Sequence, residues 1–347
     1  MGQKIKVIVV DDSKFIRTLF TGMLSQTPDI EVVDTAEDPF DAREKIKKHN
    51  PDIITLDVEM PKMDGISFLE KIMRLRPMPV IMVSTLTQKG ADTTLKALEL
   101  GAFDYLAKPT DYNAYNNLDT LRDELADKIR SAANAKVTSP ARWGESQNSP
   151  VKFNPSAKTA NKIIAIAAST GGVEAIKEVL VRMPSNCPPI IITQHMPEKF
   201  TESFARRLNT LTQIEVCEAR DGQKLECGKA YIAPGGMHLT VKRTPTGAIV
   251  HVADGENVSG HKPSADVMFK SVANIFGKEA VGVILTGMGR DGADGLKSMA
   301  ENGAINIGQD SDTCVVYGMP KAAKESGAIT NEYPIDKITE ELLKHCV

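Results

Sequence analysis

Four short apolar runs in the first third of the chain end in residues that can do chemistry. Lys6–Val10 ends in Asp11-Asp12, Ile53–Leu56 in Asp57, Val80–Val83 in Ser84, and Asp104–Ala107 in Lys108. If these runs are strands of one parallel sheet, their ends converge in a crevice. Carboxylates brought together repel, and a hard divalent cation relieves the repulsion. Mg²⁺ favours oxygen ligands and keeps several waters, so two or three carboxylates from Asp11, Asp12 and Asp57 suffice to hold it. With that charge neutralised, one carboxylate can attack a phosphoryl donor. Lys108 can pair with the incoming phosphate and Ser84 can hydrogen-bond it. Any single Asp here could equally cap a helix or end a strand. The set as a whole points to phosphoryl chemistry.

A second set lies in the last half. Ser169 follows the apolar run Ile163–Ala167 and precedes Thr170-Gly171-Gly172 and a helical pattern through about Leu180. This Ala-x-Ser-x-Gly turn resembles a nucleophile elbow, which exposes a serine on a sharp strand-to-helix turn. It also puts the residue near a helix N-terminus, so the same loop could cradle a phosphate. A serine nucleophile needs a base, and the base needs an orienting acid. His195 follows the strand-like Pro189–Thr193 and precedes Met196-Pro197. Its rival among the six histidines is His238, at the end of Tyr231-Ile232-Ala233-Pro234-Gly235-Gly236-Met237-His238. Asp291 lies in Thr286-Gly287-Met288-Gly289-Arg290-Asp291-Gly292, after the run Val281–Leu285. Those glycines let backbone N–H groups approach a ligand closely, as an oxyanion hole requires.

The elements that must position these residues follow from the patterning. Helical spacing covers Phe15–Leu24, Asp41–His49, Thr94–Leu100 and Leu118–Ile129, and a strand is expected at Glu31–Asp34. Alternating strands and helices predict a parallel sheet covered on both faces. From about Arg130 to Asn161 the pattern lapses into Ser, Ala, Asn, Lys and Pro, as a flexible linker would. Trp143 inside it is either a docking contact or an incidental solvated residue. A second α/β alternation then begins. The expected division is residues 4–122, a helix end and linker over 123–160, and a second domain over 161–347. The 347 residues suffice for two cores. A net charge of −3 leaves no basic footprint for nucleic acid. Five scattered cysteines without CxxC spacing argue against zinc and for reduced thiols. No apolar run reaches the ~20 residues of a membrane span, and the N-terminus lacks a signal-like apolar segment. A cytoplasmic protein is expected.

The motifs Val9-Val10-Asp11-Asp12-Ser13, Leu56-Asp57-Val58-Glu59-Met60-Pro61, Asp64-Gly65 and Gly101–Pro109 resemble those of two-component receiver domains, in order, over about Lys4 to Arg130. The resemblance implies a flavodoxin-like α/β fold and phosphorylation of Asp57 by a histidine kinase. It implies Mg²⁺ at Asp11 or Asp12 and Asp57, a hydroxyl switch at Ser84 and an aromatic switch at Tyr105. The motifs Ala165–Gly172, Gln194-His195-Met196-Pro197, Tyr231–His238 and Leu285–Gly292 resemble the catalytic domain of the chemotaxis methylesterase family, CheB. That implies a second doubly wound, mostly parallel α/β domain. It assigns Ser169 as nucleophile, His195 as base, Asp291 as orienter and the Met288 N–H as oxyanion donor, with Thr170 beside the nucleophile. It implies demethylation of glutamate methyl esters and deamidation of glutamines on methyl-accepting chemoreceptors, without a cofactor at that site. It further implies a chemotaxis histidine kinase as phosphodonor and a receiver that gates the active site. Two other classes stay open: a DNA-binding response regulator, which needs a basic reading helix, and a non-catalytic adaptor whose Ser169 loop cradles an anion.

Overall fold

The computed structural model describes residues 4–109, 118–135, 149–157, 159–245 and 247–347. The chain forms two compact units, Met1–Gly144 and Glu145–Val347.

The first unit runs β1 (Ile5–Val10), α1 (Lys14–Ser25), β2 (Ile30–Ala36), α2 (Pro39–His49), β3 (Ile53–Asp57), α3 (Gly65–Leu75), β4 (Val80–Ser84), α4 (Gln88–Glu99), β5 (Asp104–Ala107), α5 (Leu118–Asn134). Its five strands are all parallel, in the order β2-β1-β3-β4-β5. This is the flavodoxin-like order, in which the chain reverses direction across the sheet between β1 and β3. Strands β3 and β4 are buried along their whole length, which is why they read as continuous apolar runs rather than as alternations. Side chains cap the helices: Ser13 accepts from the Ile16 N–H, Asp38 from Phe40 and Asp41, Asp64 from Ser67, Thr87 from Gly90.

Three helices differ from expectation. α3 was absent from the expected elements, although Asp64 caps it and Ile66, Leu69, Ile72 and Met73 line its buried side. α4 starts at Gln88 rather than Thr94, capped by Thr87; the residues its first turn buries, Gly90 and Ala91, are small and carry little apolar periodicity. α5 continues past Ile129 to Asn134. There Arg130 donates from Nε and Nη2 to both oxygens of Asp29, at 2.8 and 2.9 Å, and Ala132 is buried. The expected linker therefore gives up its first residues to the helix, and Trp143 lies outside the described residues. Its far end is fastened too: the Val151 N–H donates to the Arg182 carbonyl at 2.9 Å.

The second unit runs β6 (Ile163–Ala168), α6 (Gly172–Val181), β7 (Ile190–Gln194), α7 (Phe200–Leu211), β8 (Glu215–Glu218), β9 (Lys229–Ile232), β10 (His238–Thr244), β11 (Gly247–Ala253), α8 (Ala265–Phe276), β12 (Ala280–Ile284), α9 (Ala293–Glu301), β13 (Ile305–Gln309), α10 (Met319–Glu325), β14 (Asn331–Tyr333), α11 (Ile335–Lys344). Seven strands form a parallel sheet in the order β14-β13-β12-β6-β7-β9-β8. β10 and β11 form a separate antiparallel hairpin, tied to α8 by the Val241 N–H donating to Ser271 Oγ at 3.1 Å. Along β6, Ile163, Ala165 and Ala167 share one core with residues of α8, α9 and α10. Side chains alternate along a strand, so Ile164, Ile166 and Ala168 face the opposite side. The chain leaves β6 toward β7 on one side and returns at β12 on the other. The carboxyl ends of β6 and β12 thus form the switch-point crevice.

Candidate active site and phosphoacceptor site

Ser169 follows β6 directly. Its N–H donates to the Thr286 carbonyl at 3.0 Å, which ties it to the loop after β12. Its carbonyl accepts from the Gly172 N–H at 2.7 Å and from Gln194 Nε2 at 3.0 Å. The sharp turn rests on two glycines. Gly171 has φ 77°, the left-handed region that glycine adopts without cost. A Cβ on Gly172 would lie 2.1 Å from Gln194 Oε1 and 2.6 Å from Ala168 Cβ. Ala167 is an ordinary β6 residue paired with Thr193 and Ile284, so its methyl group leaves the turn untouched.

Register brings His195 alongside. Ala168 pairs with Gln194, so Ser169 and His195 occupy the next rung, and the His195 N–H donates to the Ala168 carbonyl at 3.2 Å. His195 Nε2 lies 2.8 Å from Asp291 Oδ2. Nδ1 is buried and has no hydrogen-bond partner among the described residues. An ionised Asp291 only accepts, so Nε2 carries the proton and Nδ1 keeps the lone pair.

Asp291 is 1% exposed and held at the N-terminus of α8. Its Oδ2 accepts from the Ala265 N–H at 2.6 Å, and its Oδ1 from the Asp266 N–H at 3.1 Å and Ser264 Oγ at 2.7 Å. Burial alone would push this carboxyl up. The hydrogen bond and charge of His195, with the Ala265 N–H and Ser264 hydroxyl, outweigh burial and bring it down to about 2. Ser264 did not stand out in the sequence, although Pro263-Ser264 ahead of an apolar-periodic stretch is a helix-start signal. Thr170 is buried and its carbonyl accepts from Thr286 Oγ1 at 3.0 Å. Gly287 packs against Ser169 so closely that a Cβ there would be 2.9 Å from Ser169 Cβ. Met288 follows it in the same loop. His238 stands apart from this group: Nε2 donates to the Glu256 carbonyl at 2.8 Å and Nδ1 accepts from the Ser264 N–H at 3.3 Å. Both nitrogens are committed to holding a loop.

In the first unit the β1–β3 crevice gathers the acidic residues. One carboxylate oxygen each of Asp11, Asp12 and Asp57 lies within 4.8 Å of the others. Lys108 Nζ lies 2.9 Å from Asp11 Oδ2 and 2.7 Å from Asp57 Oδ2. The Lys108 N–H donates to the Ser84 carbonyl at 2.7 Å, fixing where its side chain starts. Burial, foremost, and the charge of Asp11 push Asp57 up to about 6 against the opposing pull of Lys108. Burial likewise raises Asp11. Desolvated, mutually repelling carboxylates with all-oxygen donors fit a small hard cation such as Mg²⁺. Ser84 is buried at the end of β4, its Oγ 3.4 Å from the Gly90 carbonyl. Tyr105 is buried on β5, with Lys128 Nζ 5.6 Å from its ring centre.

A family model described as CheB methylesterase matches residues 164–342, and one described as response regulator receiver domain matches residues 7–117. A protein-glutamate methylesterase/protein-glutamine glutaminase of Methylobacillus flagellatus is 49% identical, over 98% of this chain and 96% of its own. One from Paraburkholderia xenovorans is 52% identical, over 94% of this chain and 92% of its own. The solved catalytic domain of Thermotoga maritima CheB methylesterase is similar with a TM-score of 0.52 and 37% identity, covering 53% of this chain and 97% of that one.

Proposed function

The chain belongs to the CheB methylesterase family, with a response-regulator receiver domain, and from that premise we propose that Ser169, His195 and Asp291 perform its chemistry. It is a protein-glutamate methylesterase and protein-glutamine glutaminase, acting on chemoreceptors. Ser169 Oγ attacks the γ-carbonyl carbon of a glutamate methyl ester while His195 Nδ1 takes the hydroxyl proton. The Met288 N–H, beside Thr170, steadies the oxyanion. The imidazolium then gives its proton to the departing methoxide, releasing methanol and leaving an ester on Ser169. Water, deprotonated by the same nitrogen, cleaves that ester to a glutamate carboxylate and restores the serine. With glutamine the leaving group is ammonia. Asp291 stays ionised and holds the Nε2–H tautomer throughout.

One observation carries this reading: His195, on the rung beside Ser169, is bonded to Asp291 through Nε2, while its buried Nδ1 has no hydrogen-bond partner among the described residues. The test is methanol release from methylated chemoreceptor. By analogy with other triads, Ser169→Ala lowers kcat on the order of 10⁶-fold. A Ser169→Ala protein with wild-type release would sink the mechanism.

Asp57 accepts a phosphoryl group from a chemotaxis histidine kinase. Asp11, Asp12 and Asp57 would hold Mg²⁺, which would supply neutralisation of their clustered negative charge. Lys108 pairs with the phosphoryl oxygens, and Ser84 and Tyr105 respond to them, so that the receiver gates the esterase. The reading divides the chain into a receiver over 4–122, a helix end and linker over 123–160, and a catalytic domain over 161–347. No described helix is long and apolar enough to cross a membrane, and a cytoplasmic location accords with the activity.

A further inference from the structure

We propose that His261 is a positioning residue for His195, holding the plane of its imidazole by stacking on it. This inference rests on the reading of His195 as the base of Ser169. The two rings are 3.8 Å apart between centroids and 12° from parallel. The Nε2 bond to Asp291 fixes one point of the His195 ring but leaves the ring free to rock about that point. Rocking moves Nδ1, the nitrogen that must meet the serine hydroxyl. A flat group against one face removes that freedom and keeps water off it, and the His195 side chain is 8% exposed.

The segment that carries His261 is built for fixed presentation. The Val258 N–H donates to the His261 carbonyl at 3.1 Å, and the His261 N–H returns to the Val258 carbonyl at 3.0 Å. The two residues between them, Ser259 at φ 54° and Gly260 at φ 82°, are both left-handed, as a type I′ turn requires. Serine is a poor choice for that conformation. Its Oγ holds it there by donating to Asp266 Oδ2 at 3.2 Å, and Asp266 is itself buried in the first turn of α8. Glu256 is tied to His238, and Lys262 Nζ donates to the Gly255 carbonyl at 2.9 Å. Two residues beyond Lys262, Ser264 grips Asp291. One fastened strap thus delivers a ring to His195 and a hydroxyl to Asp291. The ring contact joins positions 195 and 261, far apart in the chain.

The test compares full-length wild type with His261→Ala and His261→Phe, using methanol release from methylated chemoreceptor and fluorophosphonate labelling of Ser169. His261→Ala is expected to lower kcat by roughly tenfold to 10²-fold, the scale of a small misplacement of reacting groups, with KM nearly unchanged. His261→Phe, which keeps a flat ring but no nitrogen, is expected to recover most of that loss, and labelling rates should follow kcat. An unchanged kcat in His261→Ala overturns the proposal. So does a His261→Phe protein as slow as His261→Ala, because the imidazole nitrogens would then matter rather than the stack. Should His261→Ala lose the wild-type melting transition, His261→Leu against His261→Phe makes the same comparison at similar bulk. A wild-type chain that neither releases methanol nor labels at Ser169 instead refutes the reading of Ser169, and is separable from a failure confined to His261.

Discussion

Asp291 illustrates how a buried charge is kept ionised at the residue scale. Its carboxylate collects two backbone N–H groups and a hydroxyl before it meets His195. An asparagine has only one oxygen to accept them, and its NH₂ would favour the wrong imidazole tautomer. Asp291→Asn is expected to lower kcat roughly 10⁴-fold with little change in KM, as measured by methanol release. The same residue sets an acid limit. Its folded value of about 2 lies below the ordinary 3.8, so its contribution to stability, on the order of 2 kcal/mol, is present above pH ~4. It is lost as pH falls from about 4 through 2. Unfolding free energy in that window should depend less steeply on pH in Asp291→Asn, and an identical slope would contradict the assignment. The described cysteines play no such part: all five are unpaired thiols, and burial pushes Cys187 up to about 12.

At the scale of elements, loops that end parallel strands do the positioning, and glycines set how closely they approach. Gly287 has no room for a side chain: a Cβ would meet Met319 Sδ at 2.3 Å and the Ser169 backbone nitrogen at 3.0 Å. The thioether can shift, but the Ser169 backbone is held by Thr286 and Gly172. Gly287→Ala is therefore expected to displace the serine and to cost about 10²-fold in kcat. Circular dichroism should show the α/β fold retained. Gly65 does the same in the receiver, where a Cβ would lie 2.0 Å from the Asp57 carbonyl oxygen.

Across the whole molecule, two parallel sheets place chemistry where their strand order reverses, at β1–β3 and at β6–β12. In the proposed reading one crevice accepts a phosphoryl group, the other makes an acyl-enzyme, and the first controls the second. A small-molecule phosphodonor with Mg²⁺ is expected to raise methanol release severalfold in wild type and to leave Asp57→Asn at its basal rate. An equal response in both proteins would exclude control through Asp57. Removing the residues ahead of Ser149 keeps the Val151 bond to Arg182 and should yield an active esterase that ignores the phosphodonor.

Both reversals were legible in the amino-acid sequence because the candidate site residues lie at or just beyond the ends of apolar runs. A buried parallel strand must be apolar on both faces, so the first polar residue marks its exit. Asp11, Asp57 and Ser169 could be placed at a sheet edge on that ground, and Asp291 through the Gly-rich loop that follows such a run. The helix α3 and the end of α5 were harder, because a cap at Asp64 and a bidentate pair from Arg130 to Asp29 complete them. The family resemblance already singled out His195 over His238, but which of its nitrogens meets Asp291 is visible only in the tertiary structure. His195 and His238 both end near the same edge, yet only one faces an ionised carboxylate with a nitrogen to spare. Ser264 on Asp291 and His261 on His195 are long-range contacts. Local periodicity reports which face of an element is buried, whereas such contacts depend on how distant loops are brought together, and that is settled only when the sheet is assembled.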